Sequence, residues 1–399
     1  MYLKQNYIII GNGIAGMTAA EEIRKSDPNA IIKIFTDENY LCYYRLQLSH
    51  SISKEVTPEK LIINDENWYR ERDIEIFLNT RVKAIDPKNS RIYLNNNTSV
   101  RYDKLLLATG SSPFIPPIKG VDKKGVYTLR TIEDLQSLQD FLENCSEVAV
   151  IGGGLLGLEA AWALKERGLK VHVLEFFPYL LPRQLDEELA AHVKEKLEAE
   201  GLNIHLGTVS KEIQGDDKVT GIELEDGRNI PAHLVLLSTG VKSNIGFLED
   251  SGIEINRGVV VDEYMKTNLD NIYAAGDLVE YNGVVLALWP NAIEQAKIAA
   301  KNMVGEKETF TPAQPATLLR IGKFSAYSVG EIKNTEESIS YKEDDVFHKL
   351  FIENGKIIGG VLTGDIKKMS TLKKAVNSNQ DISVLIEQNV NLIDILNSI

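Results

Sequence analysis

Apolar residues come in short unbroken runs along this chain, and twice such a run leads straight into a glycine-rich turn. Residues 7–16 read YIIIGNGIAG and residues 148–157 read VAVIGGGLLG. Runs this short and this continuously apolar predict strands covered on both faces, as in a parallel sheet. After each turn the pattern changes to a helical one. MTAAEEIRKSD is closed by Pro28, and LEAAWALKERG is closed by Gly168. A second β-rich run then follows each helix, AIIKIFTDE in one case and KVHVLE in the other. The prediction is an α/β protein built on two β–α–β starts.

Both turns carry the spacing G-x-G-x-x-G, and each glycine has a different task. Gly11 and Gly152 permit the tight turn. Gly13 and Gly154 let a pyrophosphate approach the backbone, and Gly16 and Gly157 let helix and strand pack closely. Ile14 and Ala15, and Leu155 and Leu156, lie on the same turn, where free N–H groups at the positive end of a helix dipole face an anion. An acidic residue about 20 positions on takes ribose hydroxyls. Glu175 stands 18 after Gly157, and Asp37 and Glu38 stand 21 and 22 after Gly16. Two dinucleotides are therefore expected. A carboxylate at 175, followed by FFPYLL with no arginine or histidine, favours NADH over NADPH because it repels a 2′-phosphate.

Composition narrows the picture. At 399 residues two or three domains are expected, and the net charge of −13 argues against non-specific nucleic-acid binding. The N-terminal apolar run is too short for a signal peptide, and no run approaches the length of a membrane span, so a cytoplasmic protein is expected. Cys42 and Cys145 are the two cysteines. Their separation fits neither a disulfide framework nor a zinc site.

With further segments the chain resembles the pyridine nucleotide–disulfide reductase superfamily. LLLATGSSP (105–113) resembles the segment in which Ala108, Thr109 and Gly110 leave the FAD domain. LLSTG (236–240), with Thr239 and Gly240, resembles its counterpart on re-entry. NIYAAGDLVE (271–280) resembles the second FAD fingerprint, in which Gly276 and Asp277 meet the ribityl chain. The resemblance implies two Rossmann-like domains, one for FAD (1–112 and 242–308) and one for NADH (113–241). It also implies a small α+β C-terminal domain (309–399). Val82 joins the implied FAD contacts, and Glu159 lies near nicotinamide and flavin. Independently, TPAQPAT (311–317) reads as a connector, Asn354-Gly355 as a hairpin turn, and MSTLKKAV and ISVLIEQ as helices.

The disulfide reductases carry C-x-x-x-x-C near residue 42, and their NADH oxidase and coenzyme A-disulfide reductase relatives a single cysteine. Here the stretch is NYLCYYRLQLSH. Its flanks are more similar to the P-Y-x-R-P-x-L-S segment of rubredoxin, ferredoxin and putidaredoxin reductases, and to nitrite reductase large subunits. In that frame Cys42 replaces a proline and Arg45 positions the FAD pyrophosphate or the turn. His50 stands where many relatives have the lysine that pairs with Glu159, and Trp289 shields the flavin. No metal site is expected. The function implied is FAD-dependent NADH oxidation with electrons passed to a small redox protein, rubredoxin foremost. The alternatives are an oxidase or disulfide reductase using Cys42, an NADH-binding flavoprotein sensor, and an electron-input module like that of nitrite reductase. The last lacks cluster-binding cysteines in this sequence.

Overall fold

The computed structural model describes residues 4–54, 56–332 and 337–399. They form two units. The first comprises residues 4–45, 56–112 and 241–313, and the second residues 46–54, 113–240, 314–332 and 337–399.

In the first unit, strand β1 (Asn6–Ile10), helix α1 (Ile14–Ser26) and strand β2 (Ile31–Phe35) realise the first glycine motif. β1 sits in the middle of a five-stranded parallel sheet, with β2 and Ile74–Phe77 on one side and Lys104–Leu107 and Ile272–Ala274 on the other. Tyr7, Ile8, Ile9, Ile32, Ile34 and Leu105 to Leu107 are all buried, each worth about 1.5–3 kcal/mol against exposure. α1 packs against the helix Trp289–Met303. The strand order reverses at β1, and folds of this kind bind ligands outside the carboxyl ends of the strands at such a point.

The second unit repeats the plan. β3 (Glu147–Ile151), α2 (Leu155–Glu166) and β4 (Lys170–Leu174) carry the second motif. The sheet order is Asn203–His205, β4, β3, Leu234–Leu237 and Val126–Tyr127, again all parallel. The repeat extends to hydrogen-bond register. Gly11 N–H donates to Phe35 O and Gly152 N–H to the equivalent Leu174 O, at 2.7 and 2.8 Å. α2 ends through Gly168, whose φ of +84° takes the left-handed position after the cap.

Two further pieces complete this unit. Residues 314–399 contribute an antiparallel five-stranded sheet in which Val346–Glu353 and Lys356–Thr363 form a hairpin through Asn354 and Gly355, both at positive φ. The helices Met369–Asn377 and Ser383–Glu387 follow it. The short helix Leu48–Ser51 packs on α2, and the Arg167 guanidinium donates to Ile52 O at 3.2 Å. The Gln139 amide donates to Ser51 O at 2.8 Å. Residues 46–54 thus fold with the second unit.

Candidate functional site

The two turns show what each glycine does. A Cβ on Gly11 would lie 2.1 Å from Ala108 O, and one on Gly16 2.0 Å from Gly11 O. In the second turn the same atoms would sit 2.2 Å from Ser238 O for Gly152, and 2.1 Å from Gly152 O for Gly157. These four positions are closed by the protein's own backbone. Gly13 and Gly154 face open space, with nothing within 4 Å. Both have extended backbones that any residue adopts (φ −76° and −79°). Space above a helix N-terminus that only the second glycine leaves open is what a pyrophosphate requires.

A second observation in the first turn fits a dinucleotide. Asn12 is buried, and its Oδ1 accepts from Tyr69 Oη at 3.2 Å. Its Nδ2 has no hydrogen-bond partner among the described residues, a buried donor held ready for an acceptor. Ile14 and Ala15, with Leu155 and Leu156 in the second unit, open the two helices.

Register separates the candidate acids. Thr36 follows the last β2 residue as Glu175 follows the last β4 residue, so Asp37 lies one position further on. Asp37 is exposed. Glu38 is engaged on both oxygens. Arg45 Nη2 donates to Oε1 and Tyr43 Oη to Oε2, each at 2.6 Å. The Arg45 guanidinium also lies 4.7 Å from the Tyr43 ring centre. Glu175 is buried at the strand end, where Oε2 accepts from Gly153 N–H at 2.5 Å and Oε1 from Phe177 N–H at 2.8 Å.

The segments 108–110 and 239–240 occupy equivalent strand ends in the two units. Thr109 Oγ1 donates to Asn244 O and Asn244 Nδ2 to Thr109 O, at 3.0 and 2.9 Å. Gly110 O accepts from Asn244 N–H. Thr239 Oγ1 donates to Phe114 O at 2.7 Å, and Gly240 O accepts from Phe114 N–H. Asp277 accepts from Ser111 Oγ at 2.9 Å, and Gly276 N–H donates to the buried Gln295 Oε1. Val82 is buried in the core of the first unit, at a bulge opposite Leu94. Trp289 opens its helix stacked with Tyr44, 6.3 Å between ring centres and 18° apart.

Cys42 is a core residue, 1% exposed, and burial pushes its thiol up to about 12. A thiol so protonated at neutral pH is a poor nucleophile. Cys42 and Cys145 are both free.

In the second unit, Glu159 projects from α2 towards the Leu48–Ser51 helix. Ser49 Oγ donates to Glu159 Oε2 at 3.0 Å, and His50 Nε2 lies 3.7 Å from Oε1. Burial holds this carboxyl above its usual range, while His50 and the Ser49 hydrogen bond pull it down. His50 does stand beside Glu159, but the shorter contact belongs to Ser49. Tyr43 and Ser49 fall on the tyrosine and serine of the P-Y-x-R-P-x-L-S segment and Asn12 between two motif glycines, but like Tyr44, Asn244 and Gln295 they carry no site role in the sequence reading. Their partners lie at separations from two residues (Tyr43 and Arg45) to 245 (Tyr44 and Trp289).

Two glycine turns on two parallel sheets, one backed by an unpaired buried amide and the other by a buried acid, define a mixed α/β protein with two dinucleotide-binding starts. The chain belongs to the family described as pyridine nucleotide-disulphide oxidoreductase, whose profile matches residues 5–296, and residues 315–380 match the rubredoxin NAD+ reductase C-terminal domain. Members of the family use FAD and NAD(P)H. The chain is 36% identical over 386 residues to a nitrite reductase [NAD(P)H] of Bacillus subtilis (strain 168), covering 95% of this chain and 48% of that one. It is 35% identical over 391 residues to an NADH oxidase of Methanocaldococcus jannaschii, covering 90% and 87%. The solved NADH:rubredoxin oxidoreductase from Clostridium acetobutylicum superposes with a TM-score of 0.84 at 28% identity, each chain fully covered. The chain spans about half the length of the Bacillus relatives it matches. Among the described residues no helix is long and apolar enough to cross a membrane.

Proposed function

We propose that this protein oxidises NADH and delivers the electrons to a small redox protein, most simply rubredoxin. FAD is assigned to the first unit, through Gly11, Gly13, Asn12, Asp37, Thr109 and Asp277. NADH is assigned to the second, through Gly152, Gly154 and Glu175. The flavin, when bound, accepts a hydride from the nicotinamide and can release electrons one at a time. The chain's own residues bind, orient and shield. The glycine turns present N–H groups to phosphate, and Glu38, Tyr43 and Arg45 brace the loop that carries Asp37. Glu159 places an acid in the second unit whose charge is set by burial and by His50. Trp289 and Tyr44 supply an aromatic shield.

The observation that carries the proposal is the state of Cys42. A buried thiol with a pKa near 12 is poorly suited to a disulfide or sulfenate cycle, which leaves the flavin as the exit for electrons. The match of residues 315–380 to the rubredoxin reductase C-terminal domain supports a protein acceptor. The decisive experiment reduces the purified yellow protein with NADH under anaerobic conditions and then offers rubredoxin, ferredoxin, oxygen and coenzyme A-disulfide in turn. Rubredoxin is expected to reoxidise the flavin fastest, and failure of both redox proteins sinks the assignment. One further reading, the electron-input part of a nitrite-reducing system, is favoured by the match to half of the Bacillus nitrite reductase. It predicts that reoxidation requires a cluster-bearing partner.

A further inference from the structure

The two neighbours of the Glu159 carboxyl answer it unequally. Ser49 Oγ donates to Oε2 at 3.0 Å, whereas His50 Nε2 lies 3.7 Å from Oε1, beyond hydrogen-bond distance. Among the described residues no other hydrogen bond or ion pair reaches either oxygen. The strands β3, β4 and Ala316–Ile321 also pack on α2, and none brings a charge to it, so His50 is the one titratable group that acts there. Ser49 and Glu159 are both buried, while the His50 side chain is 52% exposed. Water screens an imidazole so placed, and an imidazole attracts an anion only while protonated, in the acid part of the physiological range. The hydroxyl is subject to neither limit. It donates to the ionised carboxylate at any pH, and in its buried place no solvent competes for the contact.

The hydroxyl is also held in place by contacts that do not touch Glu159. The Arg167 guanidinium donates to Ile52 O at 3.2 Å, and Ser53 Oγ donates to Glu166 Oε2 at 3.1 Å. The Gln139 amide donates to both Ser51 O and Lys54 O, each at 2.8 Å. Glu159 and Glu166 lie on one face of α2, and Ser49 and Ser53 meet them there.

We propose that Ser49 is a positioning residue of the NADH site, holding Glu159 ionised and fixed in orientation at the pH where His50 no longer does so. The assignment rests on the reading of Glu159 as the acid beside nicotinamide and flavin. Burial favours the protonated form of this carboxyl; His50 opposes burial only while charged, and Ser49 opposes it throughout. The ionised form is the useful one. As the hydride and its electron pair pass to the flavin, the nicotinamide ring is left positive, and a fixed anion beside it favours that outcome where a neutral acid does not.

The test uses the FAD-loaded full chain with Ser49→Ala and Ser49→Thr, and two readouts. Carbon NMR on protein labelled at the glutamate carboxyls follows the titration of Glu159, assigned by its loss in Glu159→Gln. Stopped-flow absorbance follows flavin reduction by NADH across the same pH range. Ser49→Ala is expected to raise the Glu159 titration by about one to two pH units, the worth of one hydrogen bond to a charged group. The acidic limb of flavin reduction should move up by the same amount, and Ser49→Thr, which keeps the hydroxyl, should restore both. The proposal is overturned if Ser49→Ala leaves the Glu159 titration where it stands in the unaltered protein. It is also overturned if the variant slows flavin reduction equally at every pH, as a merely structural role would. A failure of the underlying reading of Glu159 looks different, because the carboxyl titration then moves while the acidic limb stays in place.

Discussion

Replacing Gly154 and Gly157 separately by alanine pulls apart two jobs that the G-x-G-x-x-G pattern runs together. At Gly157 the new Cβ would sit 2.1 Å from the Gly152 carbonyl oxygen, a backbone atom that cannot rotate away. Overpacking of this kind costs about 1–3 kcal/mol, and the upper half of that range applies because α2 must move off its strand. The better helix propensity of alanine returns up to about 1 kcal/mol, leaving a net loss of about 2. For a domain of this size that lowers the melting temperature by roughly 4–8 °C. At Gly154 no atom lies within 4 Å and φ is −79°. Reduced freedom of the unfolded chain contributes about 0.4–1 kcal/mol, and the poorer N-cap removes a similar amount. Stability should barely change. Nucleotide binding should change, because the methyl fills the space over the N–H groups and forfeits at least one charge-assisted hydrogen bond. That is about 1.5–3 kcal/mol, or 10- to 100-fold in affinity. Thermal melts without nucleotide, paired with NAD+ titration by calorimetry, read both quantities. The reasoning is refuted if Gly154→Ala keeps its NAD+ affinity within twofold, or if Gly157→Ala melts with the unaltered protein.

Four other substitutions test the remaining parts. Cys42→Ser should leave NADH-driven reduction of the protein acceptor in place, and the native Cys42 thiol should resist iodoacetamide at pH 8 when followed by mass spectrometry. Prompt alkylation would contradict its burial and its pKa near 12. Burial raises the Glu159 carboxyl in the folded state, so protonation stabilises the fold fully below the ordinary carboxylate value and the benefit is lost as pH rises through the raised one. Glu159→Gln should therefore gain on the unaltered protein in melts taken from pH 4 to 8, and a constant offset would count against this. His50→Lys should move the acidic limb of flavin reduction by NADH to lower pH, since a permanent cation near Glu159 favours its ionised form. Arg45→Ala strips one donor from Glu38, worth about 1 kcal/mol after allowance for its partial exposure, so FAD should escape roughly fivefold more readily on ultrafiltration.

The glycine turns were legible in the sequence because their requirement is local. Six consecutive residues set the turn, and the apolar run before each one sets the strand. The Asn354-Gly355 hairpin was legible for the same reason. Glu38 and Asp37 were not separable by counting, since spacing alone leaves both within reach; only strand register shows that Thr36 takes the place equivalent to Glu175. Ser49 was hidden because its partner Glu159 is 110 positions away. The attachment of residues 46–54 to the second unit has no mark in composition, being set by contacts from Gln139 and Arg167. Asn12 sat inside the best motif of the chain and still went unnoticed, because what distinguishes it is an unpaired atom rather than a residue type.

The burial of Cys42 also has a consequence for counting electrons. With two cysteines in the sequence, both free and the one nearest the flavin-binding motifs sealed in the core, the chain has no dithiol in which to bank a second electron pair. On the flavin reading, one equivalent of NADH per chain would then fill the protein's whole capacity for electrons, and the first delivery to a one-electron acceptor would leave it half discharged. The enzyme works as a transformer with no reservoir, and its throughput is tied to how soon a second acceptor arrives.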